Sequence, residues 1–373
     1  MSLSVLLAGG GTTGHVAPLL ALADCLRRQD GDTRITVLGT AEGLESRLVP
    51  EAGYPLVVVP RVPLPRGASP DLLRLPARLR AAVAVAAAAV DDNAVDVVVG
   101  FGGYVATPAY LAARRRVPVV VHEQNALPGI ANRLGARFTD HVGVTFPGTP
   151  LRGAQVVGMP LRRQITTLDR AATRAAARAG FGLDPDARTL LVVGGSLGAQ
   201  RLNVTLGSAA GALAEAGIQV LHAAGRGKSV DVEAPAGVGT GGRGTRPPYV
   251  VVEYLDRMDL AYAAADAVIC RAGAGTVCEL TALGIPAAYV PLPIGNGEQR
   301  RNVQPVVDAG GGLVVDDAAC TPDWIASTLV PLLTDQARLA RMGAAAADFG
   351  IADGDERLAD LVRLAAATPR GDR

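Results

Sequence analysis

Four times in this sequence a short apolar run ends in a glycine-rich turn and opens into a helical stretch. Ser4 to Ala8 leads into Gly9-Gly10-Gly11-Thr12-Thr13-Gly14, and Val95 to Val99 into Gly100-Phe101-Gly102-Gly103. Thr189 to Val193 leads into Gly194-Gly195-Ser196-Leu197-Gly198, and Ala267 to Cys270 into Arg271-Ala272-Gly273-Ala274-Gly275-Thr276. Further units of the same kind lie at Arg34 to Leu38 and Val117 to Val121. Strands that alternate with helices form parallel sheets through right-handed crossovers. Ligands of such sheets bind at the carboxyl ends of the strands, where these glycine turns fall.

Two of the turns fall in each half, and 373 residues is long for a single core. The pattern therefore predicts an α/β protein with two Rossmann-like, doubly wound parallel-sheet domains facing a cleft. The turn Val157-Gly158-Met159-Pro160 precedes a polar helical stretch, Leu168 to Ala179, and sets the predicted boundary. The first domain then covers residues 1–158 and the second 159–340. An alanine-rich helix reads from about Leu339 to Ala367, its part from about 341 packing back on the first domain. The segment Ala234 to Pro248, rich in glycine and proline, reads as a surface insertion, and Pro369 to Arg373 as a disordered end.

Charge narrows the function. With 36 Lys+Arg against 35 Asp+Glu, the chain lacks the basic excess of a nucleic-acid binder. Lys228 is the only lysine, so Schiff-base chemistry or a lysine-dependent phosphate loop has one candidate. Gly225-Arg226-Gly227-Lys228-Ser229 ends like such a loop, but its first glycine position is His222. Arg114-Arg115-Arg116 lacks the interleaved aromatics of a nucleic-acid patch. Four scattered cysteines form no C-x-x-C pair and do not cluster with histidine, which predicts a reducing compartment and no metal. Met1-Ser2-Leu3 runs straight into a strand, with no cleavable leader, and Ala81 to Val90 is about half of the ~20 residues of a membrane span. A cytoplasmic protein whose membrane contact is peripheral is expected.

The first glycine loop satisfies G-x-G-x-x-G, in which backbone N–H groups approach a pyrophosphate at a helix N-terminus. A dinucleotide site also needs an acid closing the second strand, and that strand ends in Gly39-Thr40 with Glu42 arriving late. His15 follows the loop, on the first turn of the helix beside the expected cleft. In the second domain Ala274, Gly275 and Thr276 repeat the phosphate device. Glu279, one turn inside, suits two neighbouring ribose hydroxyls, although Thr276 and Glu279 also fit the capping box S/T-x-x-E. Pro293 to Asn302 carries amides suited to sugar hydroxyls and an acetamido group. No D-x-D pair stands at a glycine turn.

In order along the chain stand Gly14-His15, Gly102-Gly103-Tyr104-Val105, His122-Glu123-Gln124-Asn125 and Gly158-Met159-Pro160-Leu161-Arg162. Gly194 to Ala199, Cys270 to Ala274 and Glu298-Gln299-Arg300-Arg301-Asn302 follow. Together these resemble the MurG family of bacterial GT-B glycosyltransferases over nearly the whole chain. The resemblance implies transfer of N-acetylglucosamine from UDP-N-acetylglucosamine to an undecaprenyl-pyrophosphoryl-N-acetylmuramyl pentapeptide, in peptidoglycan synthesis, without a cofactor. It implies that Thr12, Thr13, Gly14 and Asn125 meet the donor sugar side and that Arg162 and Ser196 hold the diphosphate. By the same resemblance Leu255 borders the uracil, Ala274 to Cys278 cradle phosphate, Glu279 takes the ribose and Gln299 the sugar hydroxyls. Gly10, Gly11, Gly102, Gly103 and Tyr104 form the acceptor and pyrophosphate loops. Thr13, Met159 and Arg300-Arg301 depart from residues common in the family.

Inverting transfer requires stabilisation of the leaving UDP and a proton acceptor for the muramyl 4-hydroxyl. His15 is the first candidate, kept neutral by the helix dipole, and Glu123 the second. Five arginines between Arg61 and Arg80 (Arg61, Arg66, Arg74, Arg78, Arg80), interleaved with leucines, suit an anionic membrane surface. Alternatively they solvate an amphipathic helix. The expected place is the cytoplasmic face of the plasma membrane, with the lipid-linked acceptor, the donor and other cell-wall synthesis proteins as partners. A GT-B transferase with a small soluble acceptor, a UDP-N-acetylglucosamine 2-epimerase-like enzyme and a binding protein with a dead site are the alternatives.

Overall fold

The computed structural model describes residues 2–11, 13–62, 71–195, 199–232 and 247–368, without the side chains of Thr13 and residues 71–74. Thr12, Ser196, the bulk of the 234–248 insertion and Pro369 to Arg373 lie outside the described residues, as do the side chains of Thr13 and Arg74. The chain divides into two compact units, residues 1–163 with 351–373, and residues 164–350.

Among the described residues the first unit holds a seven-stranded, all-parallel sheet. Its strands are β1 (Ser4–Ala8), β2 (Arg34–Gly39), β3 (Leu56–Val58), β4 (Val97–Gly100), β5 (Val119–Glu123), β6 (Val142–Val144) and β7 (Ala154–Val156). They lie in the order β3-β2-β1-β4-β5-β6-β7. The strands are short apolar runs because helices cover both faces of the sheet. Along β1 the period of two sends Leu6 and Ala8 to one face and Val5 and Leu7 to the other. The first pair packs with Ala82, Ala86 and Ala109 from the helices Asp71–Asp92 and Gly103–Ala113. The second pair packs with Leu19 and Leu22 of the helix Thr13–Gln29, and with Leu358, Leu361 and Val362 from the far end of the chain.

The second unit's sheet contains β8 (Arg188–Val193), β9 (Ile218–Ala223), β10 (Tyr249–Val252), β11 (Ala267–Cys270), β12 (Ala287–Tyr289) and β13 (Gly312–Val314), in the order β10-β9-β8-β11-β12-β13. In both sheets the order of the strands thus reverses beside the first strand, between β1 and β4 and between β8 and β11. The four glycine turns follow those four strands, at the two switch points where doubly wound sheets bind ligands. The predicted stretch at 168–179 is the helix Arg170–Gly180, whose N-cap Asp169 accepts from Ala172 N at 3.0 Å, a contact worth about 1 kcal/mol.

Two expectations need correction. The units change over after Arg163, not at Gly158, because Gly158 and Met159 pack on the returning end: a Cβ on Gly158 would lie 2.5 Å from the Ile351 side chain, and one on Gly354 2.5 Å from Met159 O. The single terminal helix is two, Gln336–Phe349 and Gly354–Ala367. The first stays with the second unit, and the return begins at Ile351 rather than near residue 341. Gly350 marks the break, where a Cβ would meet Thr281 O at 2.5 Å. No described helix is long and apolar enough to cross a membrane.

Candidate active site

In the first unit the loop after β1 is held from below by Glu45, a residue the motifs do not flag. Its Oε2 accepts from Gly11 N at 2.9 Å, and its Oε1 accepts from Thr40 N at 2.9 Å and Thr40 Oγ1 at 2.8 Å. Three glycines from three segments make room for it. A Cβ on Gly10, Gly39 or Gly43 would come within 2.4, 2.4 and 2.1 Å of its side chain. The side chain has no solvent exposure. Burial alone would push its pKa up, but the hydrogen bonds from Gly11 and Thr40 bring it below the ordinary carboxylate range. Glu45, not Glu42, is the acid that answers the strand end Gly39-Thr40, and it binds protein rather than ribose.

The second turn of this unit packs on the first. Gly102 and Gly103 have φ of 88° and 75°, and a Cβ on Gly103 would lie 2.6 Å from Gly10 O. Gly10 and Gly103 are therefore held to glycine by the protein's own packing. A cavity of about 450 Å³ opens above them, lined by Gly10, Gly11, His15, Arg61, Gly103 and Tyr104 among others. The Arg61 guanidinium stands 5.5 Å from the Tyr104 ring centroid. His15, half-buried on the helix Thr13–Gln29, borders Gly102. Burial depresses its pKa and the Glu45 charge partly restores it. Desolvation is what favours the neutral ring here, where the sequence pointed to a helix dipole.

Glu123 does not reach the cavity's work. It is 2% exposed at the end of β5 and accepts from Asn125 N, Gly129 N and Asn132 Nδ2 at 2.9, 3.0 and 2.9 Å. Asn132 in turn accepts from Tyr110 Oη at 2.7 Å and donates to His122 O at 3.0 Å. Burial raises the Glu123 pKa against these bonds. Through both of its oxygens the carboxylate shapes the 124–129 loop. Asn125 is half-buried on that loop. Arg162, exposed beyond Pro160, belongs to the first unit.

In the second unit the glycines face the other way. A Cβ added to Gly195, Gly273 or Gly275 would meet nothing within 4 Å. Ala274 is buried, Gly275 and Thr276 are half-buried, and the helix Ala274–Ala282 begins with Gly273 as an N-cap that makes no side-chain cap bond. Thr276 is thus inside the helix, and the capping-box alternative fails. The Glu279 carboxylate instead accepts from Tyr262 Oη at 2.8 Å. A helix N-terminus whose glycines leave their Cβ positions open is a ready anion site.

The loop after β11 is fixed by the amide motif. Gln299 Oε1 accepts from Ala272 N at 3.2 Å and Leu292 N at 2.9 Å, which fixes its amide orientation and leaves the NH2 as the donor end. Buried Asn302, three residues on, donates to Ala272 O at 3.5 Å. Arg271 reaches Val290 O at 3.1 Å and pairs with Asp317 at 2.6 Å, tying β11 to β12. Leu255, 7% exposed, lies beyond β10. Sequence reasoning missed Glu45, Tyr262 and Asn132, each of which acts on a candidate residue through a long-range bond.

Residues 5–144 match the Glycosyltransferase family 28 N-terminal domain and residues 189–358 the Glycosyltransferase family 28 C-terminal domain. A Nocardioides protein named UDP-N-acetylglucosamine--N-acetylmuramyl-(pentapeptide) pyrophosphoryl-undecaprenol N-acetylglucosamine transferase is 61% identical over 359 residues, 96% of this chain and 97% of its own. A Streptomyces avermitilis protein of the same name is 56% identical, covering 97% of this chain and 98% of its own. Among solved structures, Acinetobacter baumannii MurG aligns with a TM-score of 0.78 at 30% identity, over 97% of this chain and 99% of that one.

Proposed function

The chain belongs to glycosyltransferase family 28, and from that membership we infer that it transfers N-acetylglucosamine from UDP-N-acetylglucosamine to the muramyl 4-hydroxyl of a pentapeptide linked through pyrophosphate to undecaprenol. Near full-length identity to relatives named for that transfer carries the reading. The two units divide the work. The second unit takes the nucleotide: the 274–276 amides receive the diphosphate, Glu279 the ribose and Gln299 the sugar hydroxyls, with Leu255 beside the uracil. Ser196 adds a donor to the diphosphate as negative charge develops on departing UDP. The first unit takes the acceptor at the cavity beneath Tyr104, where Arg61 supplies positive charge.

The acceptor oxygen attacks the anomeric carbon opposite UDP, inverting it. The C–O bond to UDP breaks and the hydroxyl proton leaves for His15, whose neutral ring is favoured by burial. No step calls for a cofactor. The acceptor is a lipid, so the enzyme works peripherally at the cytoplasmic face of the plasma membrane, where the charge of the 61–80 arginines suits anionic headgroups.

Radiolabelled UDP-N-acetylglucosamine incubated with the lipid-linked muramyl acceptor, a soluble muramyl peptide, or no acceptor tests the reading. Label should pass to the lipid alone. Equal transfer to the soluble peptide would favour a small-acceptor transferase, and conversion of donor alone to its 2-epimer would overturn transfer altogether.

A further inference from the structure

We propose that Tyr262 is a positioning residue for nucleotide recognition, its phenol holding the Glu279 carboxylate in the orientation that reads the ribose diol. The proposal rests on the reading of Glu279 as the ribose-binding acid.

Tyr262 stands on the helix Met258–Ala264 and Glu279 on the helix Ala274–Ala282. The tyrosine is 1% exposed, whereas Glu279 is half-exposed on the side where Gly273 and Gly275 face open space. A phenol donating to an ionised carboxylate at 2.8 Å makes a charge-assisted bond, stronger than a bond between neutral groups. A glutamate on a helix surface otherwise samples many rotamers, and a ligand that needs one of them loses affinity to the ordering. Tyr262 does that ordering when the protein folds.

Arg170 bridges the C-terminal ends of the two helices. Its Nε donates to Tyr262 O at 3.2 Å, its Nη2 to Ala265 O at 2.7 Å and its Nη1 to Leu283 O at 3.4 Å. Arg170 therefore fixes the backbone that carries the phenol, and the phenol fixes the acid. Neither Tyr262 nor Arg170 belongs to a motif of the chain.

The test is calorimetric titration of the full chain with UDP and with 2′-deoxyUDP. Wild-type protein should prefer UDP by about tenfold or more, the scale of one good hydrogen bond to a charged group. Tyr262→Phe removes one oxygen from a packed ring, so the fold stays intact in a thermal melt. This variant should bind UDP at least about threefold more weakly and 2′-deoxyUDP, which keeps one of the two hydroxyls, by a smaller factor, so that the preference shrinks. In a Glu279→Ala background, Tyr262→Phe should change neither affinity. A wild-type preference retained in Tyr262→Phe overturns the positioning role while Glu279 keeps its ribose. A preference retained in Glu279→Ala alone overturns the ribose reading and the proposal with it.

Discussion

Gly11 N donates to Glu45 Oε2 at 2.9 Å, so the first glycine loop is tied to an acid 34 residues further along the chain. The tie has a pH signature. The folded pKa of Glu45 is depressed, so its contribution is present above the unfolded carboxylate value and lost as pH falls through the folded one. Glu45→Gln places an NH2 against at least one of the donors at Gly11 and Thr40. It should cost about 1–3 kcal/mol at pH 7, a difference that narrows toward pH 3. Urea midpoints of both proteins across that range check this, and a constant gap would contradict it.

His15→Ala should lower kcat by roughly 100-fold while leaving the Kd for UDP unchanged. Because burial depresses the His15 pKa, the acidic limb of wild-type kcat should lie below the ordinary imidazole range and flatten in the variant. A variant with near-normal kcat would leave His15 a packing residue and Glu123 or bulk water the proton acceptor.

The two sets of glycines should respond oppositely to a methyl group. Gly103→Ala meets Gly10 O and an unfavourable φ, and should lose about 2 kcal/mol or more of stability. Gly275→Ala meets open space in a helix and should gain up to about 1 kcal/mol. Its methyl should nevertheless weaken UDP binding. Paired melts and titrations would settle both, and unaltered UDP affinity in Gly275→Ala would move the phosphates elsewhere.

Gln299→Glu keeps an acceptor for Ala272 N and Leu292 N but exchanges the NH2 for a second acceptor. Melting should shift little, while kcat/KM for UDP-N-acetylglucosamine falls by roughly 10–100-fold, the cost of a donor lost beside a diphosphate. Normal kcat/KM would free Gln299 from the sugar and leave it a loop clamp.

Reversing Arg74, Arg78 and Arg80 to glutamate should weaken sedimentation with anionic vesicles and spare UDP binding. Each basic residue near such a surface is worth about 1 kcal/mol. Undiminished sedimentation would show these arginines merely solvating their helix.

The sheet halves and the four turns were readable because both are local: β-rich runs such as Val97–Gly100 and the glycines after them lie side by side in the chain. What lay beyond reach was the partner of each site residue. Nothing near Glu45 announces that its oxygens serve Gly11, and Tyr262 is an ordinary apolar-face residue of its helix until Glu279 is seen against it. Spacing alone also misled at Thr276 and Glu279, which match a capping box although the helix starts at Ala274. The glycines of the two units looked alike in sequence, and only their surroundings separate Gly103, pressed on Gly10, from Gly275, facing open space.

The helix Gly354–Ala367 has a consequence for how the protein comes into being. All seven strands of the first sheet have been synthesised by Val156, yet Leu358, Leu361, Val362 and Ala365 belong to the core over one of its faces. At roughly 5–20 residues per second, a ribosome needs about ten to forty seconds more to reach them. Through that interval Val5, Leu7 and Val97 wait beneath a helix not yet made, while the second unit is translated and folds from its own continuous segment. The half of the molecule that emerges first is the half that is finished last.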